Sequence, residues 1–178
     1  MDVAINRLQR NLKIIKLKKA DLDQVLSGKY NGGEIRLDEK YELTYQFVVE
    51  LITWLVNTND LLFKNFTHYK NQMKKDPEFK NTMFGLRHAF NLFKHNMSIL
   101  SVEDRAHLLF LEAEDTTIYL ESSIWLNVDG IPVDPDHENA KEAYVNYLEG
   151  KSVFRTLTSI VNKIRIYSTP ILKQALDK

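Results

Sequence analysis

Along most of this chain apolar residues recur at spacings of three and four, the period that lines one face of an α-helix and does not suit a strand. Ile5, Leu8, Leu12 and Ile15 open the pattern and predict an amphipathic helix to about Leu26, stopped by Ser27-Gly28 and Asn31-Gly32-Gly33. A second helix is expected from Asp38, an N-cap residue type, with Tyr41, Tyr45, Val48, Leu51, Ile52 and Leu55 turned inward. Asn57-Thr58-Asn59-Asp60 are poor helix formers inside this pattern, so the sequence allows either a kink or a restart capped by Asp60 ahead of Leu61 to Tyr69. Asp76-Pro77-Glu78 marks a third start, with aspartate at the cap and proline in the first helical position. From there Met83, Leu86, Phe90, Phe93, Met97 and Leu100 form one stripe. Ala140, Tyr144, Tyr147 and Leu148 mark a fourth helix and Gly150 interrupts it. Val153, Leu157, Ile160, Val161 and Ile164 mark a last one, expected to end before Pro170.

The character changes between Ala106 and Val128. His107 to Leu111 and Thr116 to Leu126 are richer in β-branched and aromatic residues, and Glu112-Ala113-Glu114-Asp115 separates them, which predicts a β-hairpin over 107–126. Asp129-Gly130-Ile131-Pro132 and Asp134-Pro135-Asp136 read as a turn-rich connection. With 44% hydrophobic and 27% charged residues the composition is that of a globular protein, and no linker divides it. The expected fold is mainly α: a single domain over residues 1–178, a helical bundle of about five helices with a small β-hairpin insertion.

Several chemistries are excluded. The absence of cysteine removes disulfides, thiol nucleophiles and thiolate zinc sites. No glycine-rich phosphate loop, paired-histidine zinc helix or glycine-flanked serine elbow is present, and no cofactor is implied. Asp134, Asp136, His137 and Glu138 stand where a helix should begin, so capping accounts for their carboxylates. Glu103, Asp104, Glu112, Glu114 and Asp115 have neither calcium-loop nor paired-carboxylate spacing and read as solvated surface, so no metal site is expected. No apolar run has the length of a signal peptide or a membrane span, which gives a cytoplasmic protein without membrane contact as the expectation. Basic and acidic residues balance at 24 each, so any attraction to nucleic acid must be local. Arg7, Arg10, Lys13, Lys16, Lys18 and Lys19 do make the first helix basic, which solvated helix surface explains.

One segment carries chemistry beyond this. On the third helix Arg87, Asn91, Lys94 and His95 project within roughly 100° of one another, away from the apolar stripe, with His88 at the far edge of that face. Arginine and lysine can neutralise a phosphodiester, histidine moves a proton near neutral pH, and asparagine can orient either partner. Together they suffice for metal-free RNA cleavage, in which a base takes the proton of a ribose 2′-hydroxyl that attacks the neighbouring phosphate.

An arginine and a histidine on a late helix of a small helical protein resemble the signature of the HEPN superfamily. That resemblance covers about 20 residues, Pro77 to Met97. Many members of the superfamily are metal-independent ribonucleases acting as toxins or in defence against phage, and they usually dimerise so that two motifs line one cleft. Carried over, Arg87 would hold the scissile phosphate, His95 would be the general acid or base, and Asn91 the polar residue inside the spacer, with Lys94 and His88 as RNA contacts. The seven residues between Arg87 and His95 make the spacer one longer than the family pattern. Pairing Arg87 with His88 instead does not help, because adjacent helical side chains point apart. The resemblance implies an endoribonuclease of bacterial toxin or phage-defence type, acting on RNA as a homodimer, with an antitoxin or a nucleotidyltransferase as partner. Trp54 and Trp125 strengthen the expectation of a homodimer by adding bulk that a small monomer struggles to bury. The alternative is a non-catalytic helical interaction or dimerisation protein.

Overall fold

The computed structural model describes residues 3–94, 100–101, 123–128, 131 and 138–176. Among these, six helices dominate: α1 (Val3–Leu26), α2 (Leu37–Asn65), α3 (Thr67–Lys75), α4 (Pro77–Lys94), α5 (Glu138–Tyr147) and α6 (Val153–Leu176). The mainly α expectation holds. Two small antiparallel pairs accompany the helices, β1 (Lys29–Tyr30) with β2 (Gly33–Glu34) and β3 (Leu100–Ser101) with β4 (Ile124–Trp125). Helix α1 lies along α2, α4 along α5, and α6 touches α1 to α4. One core joins them, with Leu8, Ile15 and Leu22 of α1, Leu51, Leu55 and Leu62 of α2, Leu86 of α4 and Ile164 of α6 all essentially inaccessible. These are the periodic residues of the sequence, so the apolar stripes have found one another.

Three expectations change or narrow. The run Asn57-Thr58-Asn59-Asp60 does not restart a helix, because α2 passes through it to Asn65. Two of its polar residues have tertiary roles that offset poor propensity: Asn59 accepts a 2.8 Å bond from the Tyr69 hydroxyl, and Asp60 pairs with Arg87. Helix α6 likewise continues past Pro170, since Ile164, Ser168 and Ile171 extend its buried stripe, and packing outweighs a proline cost of about 3 kcal/mol. The stripe of α4 holds for Met83, Leu86 and Phe93, whereas Leu100 belongs to a strand. Most of the expected hairpin, 107–122, lies outside the described residues. Its last part is β4, whose partner is Leu100–Ser101, paired Leu100 to Trp125 and Ser101 to Ile124.

A hairpin that the periodicity did not announce occurs at 29–34. Asn31 and Gly32 have φ of 51° and 80°, the left-handed pair of a type I′ turn, and Lys29 pairs with Glu34 across it. Trp125, expected to resist burial in a monomer, is completely enclosed within the chain. Its backbone N–H donates to the Lys151 carbonyl at 3.1 Å, its carbonyl accepts from the Gly150 N–H at 2.9 Å, and its ring meets Tyr144 edge-on. No helix among the described residues is long and apolar enough to cross a membrane.

Candidate functional site

Helix α4 is the element on which the sequence places the chemistry, and its start is fixed as the sequence requires. Asp76 caps it, accepting the Phe79 N–H at 3.1 Å, and also accepts hydrogen bonds from Lys163 Nζ at 2.5 Å and the Tyr167 hydroxyl at 2.6 Å on α6. Partial burial raises the Asp76 pKa, but the bonds from Lys163, Tyr167 and Phe79 outweigh it and hold the carboxyl below the ordinary carboxylate value. The same carboxylate holds the Lys163 ammonium above its usual range. Helix α4 is thereby tied to α6 at its first turn.

Arg87, Asn91 and Lys94 share one face of α4, as their spacing demands. Arg87 forms an ion pair with Asp60 of α2, both side chains remaining partly exposed. Asn91 is half-buried, and the exposed Lys94 ends the helix with its ammonium 4.2 Å from the centre of the Phe90 ring. His95 lies outside the described residues. So do Asp134, Asp136 and His137, and the acidic residues from Glu103 to Asp115; among the described residues no group of three metal-ligating side chains occurs.

His88 departs from the expectation that it edges the polar face. It is only 2% exposed and meets the Tyr144 ring edge-on, centroids 5.6 Å apart, in the contact between α4 and α5. One residue on a helix turns the side chain by about 100°, enough to move it from groove to core. As an RNA contact His88 is therefore not reachable from the surface. Its neighbour Gly85 explains how close the helices come: a Cβ there would lie 3.0 Å from the Ala143 carbonyl oxygen and 3.0 Å from the Tyr144 Cα.

Arg87 and Asp60 stand at the edge of a groove of about 620 Å³ between α2, α3 and α4. Its floor is apolar, with Met73 and Met83 buried, while Phe63 and Phe84 remain 49% and 44% exposed. Lysines surround these rings. Lys70 Nζ sits 5.7 Å from the Phe63 centroid, Lys80 Nζ sits 5.6 Å from that of Phe84, and Lys64 completes the rim. On the α2 side, burial and the nearby Tyr167 and Asp60 push the Tyr69 phenol up, so it remains a donor to Asn59 and keeps α3 seated.

The sequence reading missed Asp60, Phe63, Lys64, Lys70, Lys80 and Phe84. For Lys80 and Phe84 a signal was present: they are four residues apart, one turn before Arg87 on the same face. Phe63 and Lys70 belong to different helices, and only their packing brings them to Phe84.

No protein-family model matches this chain, no curated protein matches it, and no solved structure matches it.

Proposed function

We propose that this chain binds RNA through the groove between α2, α3 and α4. The observation that carries the reading is a pair of exposed phenylalanines, each with a lysine ammonium at its ring, beside Lys64 and Arg87 in a single groove. Single strands are held by this combination, bases stacking on aromatic rings while cations follow the phosphates. Lysine stems crossing one apolar ring are ordinary on a helix surface. Two such rings facing one recess with further cations are a binding surface for a polyanion with flat apolar groups. Because the chain has no net charge, affinity depends on local basic patches such as this one and should fall steeply with salt.

Fluorescence anisotropy with a labelled single-stranded RNA tests the reading. Lys80→Glu and Phe84→Ala should each weaken binding by about tenfold, since stacking contributes about 1–3 kcal/mol per base. Binding unchanged in both variants would exclude the groove.

Metal-independent cleavage is the second reading, favoured by Arg87 standing at the groove edge with Asn91 one turn further along α4. An ion pair this exposed contributes about 0–1 kcal/mol, so a phosphate can take Arg87 from Asp60 at little cost. On this reading Arg87 stabilises the phosphorane, His95 moves the proton, and two copies supply the two proton-transfer groups. Cellular RNA should then be cut in the presence of chelator, leaving cyclic phosphate ends, and Arg87→Ala and His95→Ala should each abolish the cut. RNA bound but left intact would make this a non-catalytic RNA-binding domain.

A further inference from the structure

Asp60 and Lys64 form a ridge, and on its other side α1 and α2 enclose a second recess of about 570 Å³. Arg7, Arg10 and Asn11 line it from α1, and Trp54, Asn57 and Leu61 from α2. None of the aromatic residues of the first groove takes part.

Three features of this recess point to a ligand. Arg7 and Arg10 project here, and among the described residues no hydrogen bond or ion pair engages either one. They are unpaired cations on a chain with no net charge. Asn11 is 7% exposed, and within the described residues no hydrogen bond reaches its amide. The amide is not sealed in the core: it opens onto the recess beside the two arginines, where its donors and acceptor can meet a polar group that enters. Trp54, half-buried, supplies an aromatic wall, in contrast to the fully enclosed Trp125.

We propose that this recess binds one phosphorylated nucleotide unit. The base lies against Trp54, and the amides of Asn11 and Asn57, each offering donors and an acceptor, meet its edge. The phosphate lies on Arg7 and Arg10, whose planar guanidinium groups match its oxygens. The volume is that of a small-molecule site. A free nucleotide and a nucleotide within a strand present this same chemistry. The proposal does not depend on RNA binding in the first groove.

The test uses the full chain and its intrinsic tryptophan fluorescence, titrated separately with nucleoside 5′-monophosphates, a short single-stranded RNA and inorganic phosphate. Stacking on Trp54 should quench the emission, and Trp54→Phe should remove the quenching. Arg10→Glu, at an exposed position, and Asn11→Leu should each weaken binding by about tenfold, with circular dichroism unchanged. Quenching by the monophosphates identifies a free nucleotide as the ligand; quenching by the RNA alone identifies a unit of a strand; either supports the site. No quenching by either at millimolar concentration overturns the proposal. So does affinity unchanged in Arg10→Glu, or inorganic phosphate competing as well as the nucleotides. RNA binding that survives Arg10→Glu but is lost in Lys80→Glu, together with no quenching by the monophosphates, would sink this proposal and leave the first groove standing.

Discussion

Two faces of α4 carry opposite chemistry although their residues alternate in sequence. Toward α5 the helix presents Gly85, His88 and Ala89, all buried, in a contact too close for an added Cβ at Gly85. Toward α2 and α3 it presents Lys80, Phe84 and Arg87, which line an open groove. The first face holds the fold and leaves little room for a substituent. The second contributes little to stability, because its rings are half in water and its ion pair is screened, so it is available for binding. Arg87 and His88 are neighbours with contrary fates, and the difference is one step of about 100° around the helix.

The sharpest way to break this contrast is to damage the closed face. Tyr144→Ala removes a fully buried ring that contacts His88 and Trp125 and donates to the Leu126 carbonyl at 2.7 Å. Chemical denaturation should show a loss of about 3–5 kcal/mol, as for other buried aromatics. Gly85→Ala should come next, at about 1–3 kcal/mol, although alanine favours a helix by about 1 kcal/mol over glycine. The new methyl meets backbone of α5 that cannot yield as a flexible side chain would. A Gly85→Ala variant as stable as the parent would show that α4 and α5 can separate without loss.

Asp76 lies between the faces, at the end they share. Asp76→Ala removes the cap of α4 and the tie to α6, with an expected loss of about 1–2 kcal/mol in a thermal or urea melt. The pH dependence has a defined sign. The folded carboxyl has a depressed pKa, so its contribution is present above the unfolded value near 4 and disappears as pH falls through the folded one. Lys163 is shifted upward, so its contribution is present below the unfolded value near 10.4 and disappears as pH rises through the folded one. The parent chain should therefore lose more stability than Asp76→Ala at both extremes, and identical pH profiles would contradict the link.

On the open face the stability effects should be smallest, and the binding effects opposite in sign to one another. Phe84→Ala should change stability by no more than about 0.5 kcal/mol while weakening RNA binding. Asp60→Asn should release Arg87 from its ion pair and tighten RNA binding a few-fold, because one carboxylate no longer repels the phosphates. Anisotropy titrations at low salt separate the two. If Asp60→Asn weakens binding instead, Asp60 orients Arg87 rather than restraining it.

Local sequence was enough to determine the helices, the Asp76-Pro77 start and the shared face of Arg87, Asn91 and Lys94, because each follows from a period of 3.6 residues and from the capping of free N–H groups. The Asn31-Gly32 turn was equally local, and its hairpin was legible though unread. Tertiary structure decided the rest. Whether α2 survives four poor helix formers, and whether α6 survives Pro170, depends on partners such as Tyr69, Arg87 and the core beneath Ile171, which propensity does not contain. The groove joins Phe63 and Lys70 to Phe84 and Arg87 across three helices, and the second recess joins Arg10 to Trp54 across two. Helical periodicity gives each side chain its angle around its own axis and says nothing of which helix lies opposite, so the composite sites come only from the packing.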